Sequence, residues 1–266
     1  GLWFEPEMVN PDSDLFRAHP EWILHTDGRT PPVWRDQQVL DLGRPEVEAY
    51  LLDRLDALLT ENDISYIKWD HNRDVVDAGH HGRPGVHEQT LAVYRLWDEL
   101  KRRHPNVEIE TCASGGGRID LGALARTDRV WASDTIDPIE RQHIQRWTGL
   151  LLPPELVGGH VGSEQAHTTH RVTSLGFRAA TALFGHMGFE LDLTQLSDAD
   201  LAGVAELISI HKQFRPLLHS GRVVRFDLPD EQSLAHGVVA HDQSEALFCY
   251  VQLASARTEM LPPLRL

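Results

Sequence analysis

Residues 66–73 read Tyr-Ile-Lys-Trp-Asp-His-Asn-Arg, the most informative stretch of the chain. A short apolar run over 64–69 stops abruptly at Asp70 and gives way to Asn72 and Arg73. Apolar runs of this length, bounded by polar residues, read as buried strands. Side chains alternate along a strand, so Lys68 and Asp70 project to one side. A lysine two residues from an aspartate favours the ionised carboxylate. An ionised, oriented, partly desolvated carboxylate is what a nucleophile or a charge stabiliser needs. A strand followed by a charged loop with a surface ion pair explains the same residues equally well.

On either side of this stretch, apolar runs alternate with helical patterns. The spacing predicts strands over 2–4, 64–69, 107–112, 130–133, 156–161 and near 189–191. Between them it predicts a helix opened by Pro45, with Val47, Tyr50, Leu51, Leu55, Leu58 and Leu59 on its apolar face. Further helices are predicted over 87–103, with Leu91, Tyr94, Leu96 and Leu100 towards its buried side, and over 121–125, 137–152, 173–184 and 197–214. Asp137-Pro138-Ile139-Glu140 is a strong helix start, with Asp as N-cap, Pro at the first position and Glu at the third. Six βα-type units in succession predict a parallel α/β architecture. Polar residues cluster just after the strands, where (β/α)8 barrels place their chemistry. After Pro216 the pattern turns to strands alone, over 221–226, 233–240 and 246–253. The expected architecture is therefore a (β/α)8 TIM-type barrel lacking its first strands, over 1–215. The start of an antiparallel β-sandwich domain is expected over 216–266. Both ends, Gly-Leu-Trp-Phe-Glu-Pro-Glu and Pro-Pro-Leu-Arg-Leu, read as cut from a longer protein.

The chain of 266 residues carries 41% hydrophobic residues and a net charge of -15. That charge disfavours nucleic acid and anionic membranes as partners and suits a neutral substrate such as a sugar. No apolar run is long enough to span a bilayer. Lysine occurs only at positions 68, 101 and 212, which makes a lysine inside a motif notable. Cys112 and Cys249 have neither disulfide nor metal spacing, and unpaired cysteines fit a reducing cytoplasm. The densest histidines, His80, His81, His167 and His170, match no metal-binding spacing, so no metal is expected.

Four strand ends present polar groups: Trp3, Glu5 and Glu7; Lys68, Asp70 and Asn72; Glu110, Cys112 and Arg118 beside the glycine run 115–117; and Ser133 with Asp134. Two carboxylates and an aromatic platform around one pocket are the arrangement for glycoside cleavage. Trp3 is placed either as a core residue or as a platform for the C–H face of a sugar. Asp137 is occupied as an N-cap, Glu5 is either a binding residue or a loop anchor, and the direction of Glu110 is open. Asp70 and Asp134 are therefore paired. Asp70 is the ionised partner because Lys68 accompanies it, and Asp134, with no cation beside it in sequence, suits the acid role. The glycine run either offers backbone N–H groups to a substrate or makes a tight strand-to-helix turn.

Together the segments Gly-Leu-Trp-Phe-Glu-Pro-Glu-Met (1–8), Pro-Asp-Ser-Asp-Leu-Phe-Arg (11–17), Arg-Asp-Gln-Gln-Val-Leu-Asp-Leu (35–42), Tyr-Ile-Lys-Trp-Asp-His-Asn-Arg (66–73), Cys-Ala-Ser-Gly-Gly-Gly-Arg (112–118), Trp-Ala-Ser-Asp (131–134) and Asp-Pro-Ile-Glu-Arg (137–141) resemble glycoside hydrolase family 36, the bacterial α-galactosidases. They occur in the family's order and cover most of residues 1–215. The resemblance implies a (β/α)8 barrel followed by a β-sandwich. It also implies removal of terminal α-linked galactose from raffinose- or melibiose-like oligosaccharides by a retaining double displacement. Asp70 matches the nucleophile and Asp134 the acid/base, with carboxyl groups about 5–5.5 Å apart in such enzymes. Trp3, Arg35, Lys68, Asn72, Cys112 and Gly115 match positions that contact the galactose, and no cofactor is implied. Family members often form dimers or tetramers, so the resemblance admits a homo-oligomer.

The segment 133–137 departs from the family's usual Ser-Asp-Asn/Asp-Thr-Asp in its middle residues. The family's paired aspartate that selects galactose lies on strands absent from this chain. Two other readings stand beside the hydrolase: a transglycosylase of the raffinose-synthase kind, and an inactive sugar-binding fragment.

Overall fold

A computed structural model describes residues 1–228 and 230–255. The chain divides into two compact units, Gly1–Trp131 and a second from Ala132 onward.

The first unit is built on a four-stranded parallel sheet in the order Leu2–Phe4, Tyr66–Trp69, Glu108–Thr111, Arg129–Val130. Two long helices connect its strands, Pro45–Glu61 and Val86–Arg103. In the first of these, Val47, Leu51, Leu55 and Leu59 are buried at a spacing of four, which puts them in one stripe. The second buries Ala92, Val93, Leu96, Trp97 and Leu100. Leu91, expected on the buried side, is exposed, because the stripe runs through 93 and 97 instead. The central strand alternates as predicted: Ile67 and Trp69 are fully buried in the core, while Tyr66 and Lys68 face the other side. Trp69 meets Trp97 edge-on at 5.7 Å and Phe4 at 6.0 Å. Burial of such side chains contributes about 1.5–3 kcal/mol each, so this cluster anchors the strand whose end carries Asp70.

In the second unit, Asp137 caps the helix Pro138–Thr148, accepting from the N–H of Ile139 at 2.8 Å and of Glu140 at 3.2 Å. The strands Gly158–Gly162 and His186–Glu190 pair in parallel, separated in sequence by the helix Leu175–Ala182. Ser197 caps the helix Asp198–Leu218 through the N–H of Asp200. That helix runs past Pro216, four residues beyond its expected end. The proline sits in the last turn, so it removes a single backbone bond there. The strands Arg222–Phe226, Ser233–Val239 and Ala246–Gln252 then form an antiparallel sheet with the middle one central, matching the strand-only pattern read after Pro216. Residues 256–266, including the Pro-Pro-Leu-Arg-Leu end, lie outside the described residues. The α/β expectation is met. Among the described residues no helix is long and apolar enough to cross a membrane.

Candidate active site

The sheet register gathers the polar side chains of the first unit. Trp3 is aligned with Lys68, and Lys68 with Glu110. Residues aligned across parallel strands share a face, so the three form one row, and Asp70 lies one step beyond it at the C-terminal end. The direction of Glu110, open in the sequence, is thereby settled. The Lys68 Nζ lies 3.7 Å from Glu110 Oε1 and 4.4 Å from the centre of the Trp131 ring.

Asp70 is buried, and four donors converge on it. The Trp3 indole donates to Oδ2 at 3.1 Å, the Asn72 amide to Oδ2 at 2.7 Å, and the His71 backbone N–H to Oδ1 at 2.8 Å. The Cys112 thiol is the fourth. Burial alone would raise the pKa of this carboxyl, but the bonds from Cys112, Asn72, Trp3 and the His71 N–H outweigh it and hold Asp70 below the ordinary carboxylate value. The cause therefore differs from the sequence-based expectation. Neutral donors lead in keeping Asp70 ionised, and Lys68 makes its close ion pair with Glu110. Conversely, burial and the adjacent Asp70 push the Cys112 thiol up to about 12. It stays protonated and so remains a donor.

Asn72 is fixed at both ends of its amide. Its Nδ2 reaches Asp70 Oδ2 and Glu5 Oε1, the latter at 2.6 Å, while Oδ1 accepts from the Ser114 hydroxyl at 2.9 Å. One lone pair of Oδ1 remains for a further donor. Glu5, open between binding residue and loop anchor in the sequence, acts as an anchor: its second oxygen accepts from the Gln37 amide at 2.7 Å. The glycine run makes a tight turn. Ser114 and Gly115 both have positive φ (47° and 81°), and Gly117 N–H closes on Ala113 O at 3.0 Å. A Cβ on Gly117 would meet Ala113 O at 2.6 Å, so only glycine fits there. Trp3 is 51% exposed and is not a core residue. Arg35 is exposed at the tip of a two-residue turn with φ of 55°.

Beside this cluster lies a second buried carboxylate, Glu7. It accepts from the Trp69 indole at 2.8 Å and from Arg118 Nη1 at 2.7 Å, and its other oxygen stands 3.3 Å from His71 Nδ1. Burial raises its pKa, but Arg118 and His71 more than reverse that and drive it far below the usual range. The sequence placed Glu7 at the first strand end and Arg118 at the third, but 111 residues of separation hid their pairing.

The structure thus brings together Trp3, Lys68, Asp70, Asn72 and Cys112, with Gly115 in the turn that follows Cys112. Asp134 belongs to the second unit, where it is exposed at a bend. Asp137 is committed elsewhere: besides its capping bonds it accepts from Arg171 Nη1 at 2.7 and 2.8 Å and from the Thr169 hydroxyl.

The model of the Melibiase family matches residues 1–221. The chain belongs to the Melibiase family. It is 49% identical over 254 residues to an α-galactosidase of Escherichia coli, covering 96% of this chain and 36% of that protein. It is 38% identical over its whole length to α-galactosidase 2 of Hypocrea jecorina, 36% of which it covers. The crystal structure of the glycoside hydrolase family 36 α-galactosidase AgaA from Geobacillus stearothermophilus superposes with a TM-score of 0.95 at 36% identity, over 100% of this chain and 38% of that one. A variant of AgaA in complex with raffinose superposes equally well, with the same identity and coverage. The chain spans about a third of the length of the curated relatives it matches.

Proposed function

We propose that this chain is the catalytic part of a retaining α-galactosidase that removes terminal non-reducing galactose from α-galactosyl oligosaccharides. The observation that carries the reading is the Asp70 carboxylate. It is held ionised and oriented at a strand end by Trp3, Asn72, Cys112 and the His71 N–H, in a chain of the Melibiase family. Similarity to α-galactosidases supports the reaction, and the raffinose complex of AgaA supports the substrate class.

In this reading one Asp70 oxygen attacks the anomeric carbon while Asp134 gives its proton to the departing glycosidic oxygen. The C–O bond to the leaving sugar breaks and a galactosyl–Asp70 ester forms. Asp134, now a carboxylate, takes a proton from water, whose oxygen displaces Asp70 and restores the starting enzyme. The two inversions return the original configuration. Trp3, Arg35, Lys68, Asn72, Cys112 and the Gly115 backbone contact the galactose. The exposed face of the Trp3 ring suits the C–H face of the sugar, and its N–H positions the nucleophile. The two carboxylates supply nucleophile and proton, so the reaction as proposed draws on no cofactor. The surrounding architecture in this reading is a (β/α)8 barrel lacking its first strands over 1–215, followed by the start of a β-sandwich from 216, in a reducing cytoplasm that suits the unpaired cysteines.

Replacing Asp70 by Ala in the full chain tests the proposal. Release of the phenol from an aryl α-galactoside is expected to vanish and to return in part with azide, which attacks the anomeric carbon in place of the carboxylate and leaves as β-galactosyl azide. Undiminished hydrolysis would remove Asp70 from its role.

A further inference from the structure

The loop over 31–37 presents the bulkiest exposed side chain of the first unit that the proposed chemistry leaves unused. Trp34 is 65% exposed and Val33 beside it 51%. Trp34 and Val33 together expose apolar surface on this loop, and an accessible indole face is a surface on which the C–H face of a sugar ring can stack. The loop is also fixed. Trp34 and Gln37 exchange backbone bonds, Trp34 N–H to Gln37 O at 3.3 Å and Gln37 N–H to Trp34 O at 3.0 Å. The two residues between them, Arg35 and Asp36, have φ of 55° and 56°. A two-residue turn with both residues left-handed normally selects Asn and Gly. Here two larger side chains occupy it, so tertiary contacts must hold the shape.

Those contacts lead to the nucleophile from both sides of Trp34. On the N-terminal side, Arg73 Nη2 donates to Pro32 O at 3.0 Å. On the C-terminal side, Gln37 Nε2 donates to Glu5, Glu5 accepts from Asn72, and Asn72 donates to Asp70. Both anchors end in the 70–73 segment, three residues long beyond Asp70 itself. Trp34 is therefore tethered at two points to the residues that carry the nucleophile.

We propose that Trp34 forms a second sugar subsite, a platform for the pyranose ring that leaves when galactose is transferred. This rests on the α-galactosidase reading and deepens it. The indole face stacks on the C–H face of the ring beyond the galactose, while Trp3 serves the galactose itself. The ligand class is an α-galactoside whose leaving group is a sugar. An α-galactoside with a methyl leaving group has nothing to place there.

The test is the ratio of kcat/KM on raffinose to kcat/KM on methyl α-galactoside, measured in the full chain for wild type, Trp34→Ala and Trp34→Phe. Aromatic packing of this kind amounts to up to about tenfold in a rate ratio. Trp34→Ala is expected to lose about tenfold on raffinose and less than twofold on methyl α-galactoside, and Trp34→Phe to recover most of the loss. Equal losses on both substrates, or no loss on raffinose, overturn the subsite and leave the hydrolase reading standing. A wild type that cleaves neither substrate overturns the hydrolase reading and this inference with it.

Discussion

Asp70 and Glu7 are two buried carboxylates at the ends of adjacent strands, and His71 touches both. Their partners differ in kind. Glu7 is held by the Arg118 guanidinium, the Trp69 indole and His71, a set that neutralises the charge and uses both oxygens. Asp70 is held by an indole, a carboxamide, a thiol and a backbone N–H, all neutral. A cation beside a carboxylate stabilises its charge and thereby blunts its nucleophilicity. Neutral donors orient the group and hold it ionised while leaving its negative charge uncompensated. The first set suits a structural anchor and the second suits the nucleophile role proposed for Asp70, although the sequence shows both as acids beside an apolar run.

The sharpest way to break this contrast is to remove each acid in turn. Asp70→Ala should lower kcat on the order of 10⁴-fold or more, the scale seen when one member of a catalytic unit is removed, with little change in the urea midpoint. Glu7→Gln should do the reverse. It leaves Arg118, largely buried, without its counter-charge, at a cost of about 3 kcal/mol in unfolding free energy. Urea denaturation of both variants separates them. Comparable stability losses would dissolve the distinction.

The pH dependence sharpens it further. The Glu7 carboxyl titrates well below its ordinary value of 4.5 in the folded protein. A depressed folded pKa contributes stability above the unfolded value, and that stability is lost as pH falls through the folded one. The Glu7 anchor should therefore persist through mildly acidic solution and fail only in strong acid. Asp70 is also depressed, so the acid limb of kcat/KM should lie below the ordinary carboxylate range. Asn72→Ala removes a bond that lowers the Asp70 pKa, so this limb should move to higher pH, with kcat falling about tenfold. A limb that stays in place would show that Asn72 does not set the charge of Asp70.

Much of the fold was readable locally. The stripe Val47, Leu51, Leu55, Leu59 and the alternation of Tyr66, Ile67, Lys68, Trp69 are periodic signals written in neighbouring residues. Asp137 declared itself as a cap because Pro138 and Glu140 follow it. What escaped depends on partners distant in sequence. Lys68 sits two residues from Asp70, yet its close ion pair is with Glu110, because register across the sheet, rather than proximity in sequence, places side chains beside each other. Gln37, which braces Glu5 and through it Asn72, lies in the segment 35–42, but nothing local points to Glu5, 32 residues away, as its partner. The turn at Arg35 and Asp36 lacks the Asn-Gly pair that would have announced it.

The smallest expected effect concerns Cys112, whose protonated thiol donates to Asp70. Cys112→Ser keeps a donor and should change kcat/KM less than threefold. Cys112→Ala removes it, at about 1 kcal/mol or roughly fivefold. Equal effects of the two variants would mean that the thiol acts through packing alone.

The central claim is that Asp70 forms the covalent bond to the sugar, and a fluorinated α-galactosyl fluoride that traps the glycosyl-enzyme tests it directly. Trypsin cuts after Lys68 and Arg73, releasing peptide 69–73, in which Asp70 is the sole carboxylate side chain. The account predicts that this peptide gains the mass of the fluorogalactosyl group. A label on any peptide bearing Glu5, Glu7, Glu110 or Asp134 instead would contradict it.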